Sequence, residues 1–186
     1  MDSLIKKWID KSTTSDVASC YFCSNIGVVY SGMKPAEIIN VSADRFHQCV
    51  LLKNQLKFKV IGKKNGNYRL FIYNPASLKA TLSKKSVLNH LKKLGYGQVF
   101  TLDDYVSTLI TKLKHNENFP HEIGFFLGYP AKDVLSFMGL IDLPFVKTMG
   151  WRMYGNTYTS ELLYQQVKNS KDEFIRYAKQ TQKGVC

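Results

Sequence analysis

The sequence has no apolar run that approaches the roughly 20 residues a membrane-spanning helix requires. Its first residues also lack the order of a secretory signal, which is a charged start, an apolar stretch and a small-residue cleavage site. Cysteine is scarce, with four residues at 20, 23, 49 and 186, and cytosolic thiols are normally reduced. We therefore expect a cytoplasmic protein with no disulfide framework and no membrane partner.

Complete metal-binding patterns are missing as well. Cys20 and Cys23 form one C-x-x-C, which is half of a tetrahedral site, and no second C-x-x-C or spaced His pair completes it. His121 and Glu122 begin like the zinc-protease pattern H-E-x-x-H, but Phe125 stands where the second His is required. We therefore expect no metal site, and the cofactor is unknown. A redox or metal role for the C-x-x-C and two buried thiols on a helix are both open interpretations.

The chain does have the composition of a globular domain. Its 186 residues are 45% hydrophobic and 22% charged, which is enough to bury a sizeable core. Asn65-Gly66 separates two apolar segments, and both positions of such a turn must tolerate positive φ, so the sequence predicts a hairpin over 57–73. The pattern predicts helices at 3–11, 15–23, 42–55, 75–94, 101–115 and 157–180, strands at 37–41 and 149–154, and a loop at 27–35.

These elements predict an α+β fold. It is a mostly helical single domain, residues 1–186, around a small antiparallel sheet that contains the 57–73 hairpin.

Positive charge exceeds negative charge throughout, and the net charge is +12. The excess is largest in the middle of the chain, where residues 61–117 carry ten Lys and Arg against three Asp and Glu. Such a segment can present a basic face to an acidic protein, a small anionic ligand or nucleic acid. Nucleic acid is the least favoured of these, because aromatic residues do not alternate with the charges. A lysine-rich solvated surface is the alternative.

Residues 119–130 are the most informative segment. Proline is common in the first turn of a helix and glycine just beyond its end. Pro120 and Gly128 therefore predict the start and end of one short helix, and Pro130 and Gly139 those of a second.

The chain carries a Pro-His-Glu motif at 120–122 and a Leu-Gly-Tyr-Pro motif at 127–130. Through these motifs it resembles the bacterial family called domain of unknown function 3793. Further matches are Gly-Met-Lys-Pro at 32–35, the strand at 70–74, Gly-Tyr at 95–96 and the segment 150–155. The resemblance covers about residues 20–180 and implies a bacterial single-domain protein without an assigned activity. It also implies that Cys23 is the cysteine that members carry shortly before their Gly-x-Lys-Pro element.

Three residues are candidates for catalysis. His121 is a candidate acid–base group, Glu122 is the candidate that orients it, and Cys23 is a candidate nucleophile, because an imidazole can convert a thiol to thiolate at neutral pH. The alternative for His121 is a buried hydrogen-bonding anchor for the loop at 32–35.

Four residues are candidates for ligand binding, and each has a structural alternative. Lys34, in a loop, can bind a carboxylate or phosphate or cap a helix. Tyr129 can face a ligand or fill the space between two helices. Arg152 and Tyr154 share one face of a predicted strand and can line a pocket with Lys34, although simple strand alternation gives the same pattern.

Two function classes follow from these residues. The first is a small enzyme that uses His121 as acid–base, with Cys23 or Lys34 in the same pocket. The second is a non-catalytic basic protein that docks an acidic partner, either a small redox protein or nucleic acid. The sequence favours the first, because the reactive side chains fall in the segments that resemble the family.

Overall fold

The predicted hairpin forms part of a three-stranded antiparallel sheet. The computed structural model describes residues 1–12, 17–115 and 119–183. It places β1 (Ala36–Val41), β2 (Lys57–Lys64) and β3 (Asn67–Tyr73) in the order β1-β3-β2. Asn65 and Gly66 join the last two strands with φ of 51° and 77°, as a two-residue hairpin turn requires. The predicted hairpin over 57–73 is confirmed.

The contacts of the chain group it into two units, which we describe separately. Unit 1 contains Met1–Asn74 and Gln166–Cys186, and unit 2 contains Pro75–Gln165. The expectation that residues 1–186 form one domain stays a prediction.

Unit 1 builds its core between helices and one face of the three-stranded sheet. Its helices are α1 (Ser3–Ser12), α2 (Val17–Tyr30), α3 (Ala43–Val50) and the part of α9 (Tyr158–Lys183) that follows residue 165. Leu70 and Ile72 of β3 are fully buried and join side chains from the helices in this core. The predicted start of the second helix at residue 15 and Cys186 lie outside the described residues.

The predicted loop at 27–35 is wrong in its first part, because α2 continues to Tyr30. Gly27 lies inside this helix and packs against another. A Cβ at Gly27 would lie 2.5 Å from the ring of Phe174 on α9, so only glycine permits this contact. Ser42 caps α3 by accepting the N–H of Arg45, and α3 ends at Val50 rather than at the predicted residue 55.

Unit 2 is mainly helical, with α4 (Pro75–Leu82), α5 (Lys85–Lys93), α6 (Leu102–His115), α7 (Ile123–Phe126), α8 (Ala131–Phe137) and the first residues of α9. The helix predicted over 75–94 is two helices, α4 and α5. Thr101 caps α6, since its hydroxyl accepts the N–H of Asp104 at 3.2 Å and donates to the Asp104 carboxylate at 2.6 Å.

A second hairpin lies in unit 2. β4 (Phe145–Met149) and β5 (Trp151–Tyr154) pair antiparallel and form a separate two-stranded sheet. The strand predicted over 149–154 is confirmed only over Trp151–Tyr154, because Gly150 takes a φ of 72° and turns the chain after Met149. The N–H of Gly155 donates to the Pro144 carbonyl at 2.9 Å and closes the base of the hairpin.

The predicted fold class is confirmed: an α+β protein, mostly helical, with small antiparallel sheets. Among the described residues, no helix combines the length and the apolar character needed to cross a membrane.

Candidate functional site

The segment 120–139 in unit 2 folds as two short helices that end at glycine. Gly128 follows α7 with a φ of 82° and Gly139 follows α8 with a φ of 70°, so both predicted stops are confirmed. A Cβ at Gly124 would lie 2.7 Å from a methyl group of Val134. The two helices therefore touch closely, which restricts their relative movement.

Asp133 connects α8 to the β4–β5 hairpin. Its side chain is 1% exposed. It accepts hydrogen bonds from Lys132 Nζ (2.6 Å), Ser160 Oγ (2.6 Å), Trp151 Nε1 (2.9 Å) and the Tyr154 N–H (3.0 Å). Burial alone would raise the pKa of Asp133, but these donors outweigh burial and hold the pKa below its usual value. Asp133 is therefore a structural anchor for the hairpin.

Tyr129 packs in an aromatic stack. Its ring lies parallel to that of Trp151 with centroids 4.7 Å apart, and the ring of Tyr164 stands edge-on to Trp151 at 6.2 Å. Tyr129 thus packs against the hairpin, and not only between two helices as the structural alternative expected. Its role in ligand binding stays a prediction.

Glu122 is buried, and its hydrogen bonds lead away from His121. Its Oε1 accepts from Lys112 Nζ at 2.8 Å and from Tyr96 Oη at 3.3 Å. Lys112 also lies 4.5 Å from the centre of the Tyr96 ring and donates to the Leu94 carbonyl. Among the described contacts none joins Glu122 to His121, so this geometry gives no support to Glu122 as the orienting group.

His121 is exposed to solvent, unlike its buried neighbour, so it is not the buried anchor of the structural alternative. Its ring stands edge-on to Phe137 at 4.9 Å and lies 6.2 Å from Phe119. The Arg152 guanidinium lies 5.5 Å from the Phe137 centroid and 5.9 Å from that of Phe145. These five residues, Phe119, His121, Phe137, Phe145 and Arg152, form a continuous set that we call the aromatic–cation surface.

The three phenylalanines of this surface are far from buried. Phe119 is 46% exposed, Phe137 is 42% exposed and Phe145 is 56% exposed. Leu140, Ile141 and Val146 of the same segment are also exposed. Contiguous exposed apolar side chains around polar groups commonly mark interaction sites in soluble proteins. Tyr154 is buried beneath the surface, with its ring edge-on to Phe145 at 5.8 Å.

The candidate nucleophile Cys23 belongs to unit 1, where it is completely buried on α2. Cys20, on the same helix, and Cys49, on α3, are buried as well. Burial raises the pKa of the Cys49 thiol to about 12, and the neighbouring Cys23 adds to this effect. A thiol in such surroundings is inert unless the core opens. The nucleophilic role of Cys23 stays a prediction.

Lys34 also belongs to unit 1 and takes part in a partly buried ion cluster. Its Nζ lies 2.8 Å from Glu37 Oε2, which Lys171 Nζ approaches to 3.3 Å. Lys171 also donates to Asn25 Oδ1 at 2.7 Å. Burial lowers the pKa of Lys34 in spite of Glu37. The carboxylate that Lys34 binds in this structure is therefore one from its own chain.

The predicted residues thus divide between the two units. His121, Glu122, Tyr129, Arg152 and Tyr154 lie in unit 2, and Cys23 and Lys34 lie in unit 1. The common pocket of His121 with Cys23 or Lys34 stays a prediction. Within the described ranges, no group of three or more His, Cys, Asp or Glu side chains could hold a metal ion.

The sequence interpretation missed Asp133 and the three exposed phenylalanines. Asp133 follows Pro130 in a helix first turn, where an acidic residue is usual, so nothing marked its contacts to another element. The phenylalanines carried one available signal. The segment 137–146 is apolar but has neither helical nor strand periodicity, and such a segment has no single face to bury.

Comparison of the sequence with known protein families gives one match that covers most of the chain. The family described as "Protein of unknown function (DUF3793)" matches residues 21–184, which confirms the resemblance. No significant match was found among curated proteins or among solved structures.

Proposed function

Since the chain belongs to the DUF3793 family of proteins of unknown function, we propose its function from its geometry: it is a non-catalytic protein that docks an acidic segment of a partner protein on the aromatic–cation surface. One observation carries this proposal. Arg152 is exposed between the rings of Phe137 and Phe145, and among the described residues no carboxylate pairs with it.

The chemistry of this surface fits recognition of carboxylates beside apolar groups. Arginine and aromatic residues are enriched in binding hot spots, where the rings exclude water from the charged contact. A guanidinium can bind a carboxylate through two parallel hydrogen bonds. That of Arg152 lies 5.5 Å and 5.9 Å from the ring centres of Phe137 and Phe145 in an exposed side chain, so a carboxylate can reach it. The net charge of +12 would also attract an acidic partner over a distance.

The support for the surface favours binding over catalysis. Asp133, Trp151 and Tyr129 hold the hairpin beneath it through hydrogen bonds and ring stacking. A surface that is already ordered loses less conformational entropy on binding. Three of the segments through which the sequence resembles the family lie in this unit. They are 120–122, 127–130 and 150–155.

The test is titration of the isotope-labelled protein with short poly-L-glutamate, followed by NMR. We expect the amide shifts to concentrate at 119–121, 137 and 145–152. Arg152→Gln should weaken binding about fivefold or more, since a central arginine contact contributes ~1 kcal/mol or more. Arg69→Gln is the matched control, because Arg69 is an equally exposed arginine in the other hairpin.

Two results would contradict the proposal. If Arg69→Gln and Arg152→Gln weaken binding equally, net charge rather than this surface is responsible. If the shifts concentrate in β2 and β3, the lysine-rich hairpin is the docking site. Nucleic acid and other anionic partners would also be expected to bind there.

The catalytic hypothesis has one observation in its favour: the His121 imidazole is accessible to solvent. Its nucleophile Cys23 can be tested by iodoacetamide labelling of the native protein across pH. Complete burial predicts no labelling of Cys23 until urea is added. Rapid native labelling with an apparent pKa well below the usual ~8.5 would favour the enzyme instead. A cytoplasmic location stays a prediction under either function.

A further inference from the structure

The two edges of the β4–β5 sheet differ. At the outer side of β5, side chains of α8 occupy the backbone groups of Tyr154: Asp133 Oδ1 accepts its N–H at 3.0 Å and Lys132 Nζ donates to its carbonyl at 2.7 Å. β4 pairs with β5 on one side, and no other described strand pairs with it. β4 therefore presents the open edge of this sheet.

The side chains of β4 do not protect that edge. Natural proteins commonly place lysines on exposed edge strands to prevent pairing with other chains. β4 instead begins with Phe145 and Val146, which are 56% and 49% exposed. Its single lysine, Lys147, is paired with Glu161 at 2.8 Å. An open edge with apolar side chains is a template for an added strand.

We infer that β4 binds the acidic partner segment as an extended third strand of the β4–β5 sheet. This inference rests on the proposed function and specifies its binding mode. An added strand would lie two strand spacings, roughly 10 Å, from β5. The side chains of Arg152 and of an opposing glutamate can together span that distance across Thr148, the cross-strand neighbour of Arg152.

Charge decides between a partner and a second copy of this chain. Two copies paired through β4 would bring together two Arg152 side chains and two chains of net charge +12. Asp142, an exposed carboxylate in the segment that leads to β4, could offset the charge of Arg152, but each copy carries only this one carboxylate there. An acidic segment satisfies Arg152 instead and meets no such repulsion.

The test uses a heptapeptide of alternating glutamate and valine and two of its N-methylated isomers. Successive N–H groups of a strand point to opposite edges, so the valine amides face one side and the inner glutamate amides the other. Methylation of one set should weaken binding about tenfold or more through lost ladder bonds, and methylation of the other set should leave it nearly unchanged. Both isomers keep the charge of the parent peptide.

Each outcome separates this inference from the proposed function. If both isomers bind as well as the parent and Arg152→Gln still weakens all three, the surface docks acidic segments without strand addition, and the inference is overturned. If the parent peptide does not bind while poly-L-glutamate does, the inference is likewise overturned. If sedimentation shows a dimer that Val146→Lys dissociates, the occupant is a second copy.

Discussion

The two hairpins of this protein are both antiparallel, but the side chains on their edge strands differ in character. β2, the edge strand of the first hairpin, carries Lys57, Lys59, Lys63 and Lys64, and no Asp or Glu occurs anywhere between residues 45 and 102. β4, the edge strand of the second, exposes Phe145 and Val146. Lysines keep an edge soluble and unpaired, whereas apolar side chains invite a partner. The difference indicates that only the second edge is suited to strand pairing.

The hairpins also differ in what supports them. The first is stabilised by a third strand, since β3 is central and its residues from Leu70 to Tyr73 are buried. The second has two strands and depends on side chains, chiefly Asp133 and the stack of Tyr129 on Trp151. A two-stranded hairpin is marginally stable alone, so these contacts hold the aromatic–cation surface in place.

Removal of the Asp133 carboxylate should have the largest effect. Asp133→Ala removes the acceptor of three buried or half-buried donors, which belong to Trp151, Tyr154 and Ser160, whereas Lys132 keeps its bond to the Tyr154 carbonyl. We therefore expect the free energy of unfolding to fall by about 3–5 kcal/mol. Urea denaturation followed by circular dichroism measures this. Asp142→Ala, at an exposed carboxylate in the same unit, should change it by less than ~0.5 kcal/mol. If Asp133→Ala lowers the free energy of unfolding as little as Asp142→Ala does, the hydrogen bonds of Asp133 contribute no stability.

The turn glycines of the two hairpins should rank next. Gly150→Ala combines positive φ with a Cβ 3.1 Å from the Tyr164 ring, so we expect a loss of about 2–4 kcal/mol. Gly66→Ala has positive φ but nothing within 4 Å, so its loss should be about 1 kcal/mol. Thermal and urea unfolding of both variants give the comparison. A larger loss at Gly66 would contradict this account of the second turn.

The third prediction concerns pH. The pKa of Asp133 is lower in the folded state than in the unfolded chain, so its ionised form stabilises the fold above the unfolded pKa of about 4. That contribution is lost as pH falls through the folded pKa. Asp133→Asn should therefore be less stable than the parent by about 2 kcal/mol at neutral pH, with the gap narrowing in acid. A gap that is constant with pH would contradict the role of the charge.

The smallest effect should come from the exposed arginines. Arg152→Gln and Arg69→Gln should each change the free energy of unfolding by less than ~0.5 kcal/mol, because both side chains are exposed to solvent. Unfolding curves that overlay the parent establish this. With equal stabilities, any difference in partner binding between these two variants reflects the surface of the hairpin that was changed. A large loss for Arg152→Gln would mean that it supports the hairpin.

Local signals in the sequence predicted the parts of the fold that depend on few residues. Asn65-Gly66 predicted its turn because backbone sterics alone restrict which residues adopt positive φ. The stops at Gly128 and Gly139 followed from the same rule. Gly27, which lies inside α2, is a glycine that this rule does not explain. Its glycine is required by the ring of Phe174, which lies almost 150 residues away in sequence and gives no local signal.

The candidate site was predicted only in part, for a related reason. The sequence indicated His121, Arg152 and Tyr154, and all three lie at or beneath the aromatic–cation surface. Glu122 is adjacent to His121 in the chain, yet its hydrogen bonds go to Lys112 and Tyr96. Neighbouring residues on a helical turn point in different directions, so adjacency does not establish a shared role.

By itself the sequence determined the α+β class, the family, the Asn65-Gly66 turn and the helix ends at Gly128 and Gly139, since each depends on composition, motif or local backbone sterics. Only the tertiary structure decided which charges are satisfied and which apolar side chains remain exposed. In sequence, nothing distinguishes Asp133 from Arg152 as the charge that becomes buried. One is buried among four donors and the other lies exposed between two rings. Burial and pairing depend on contacts between distant segments, and those exist only after folding.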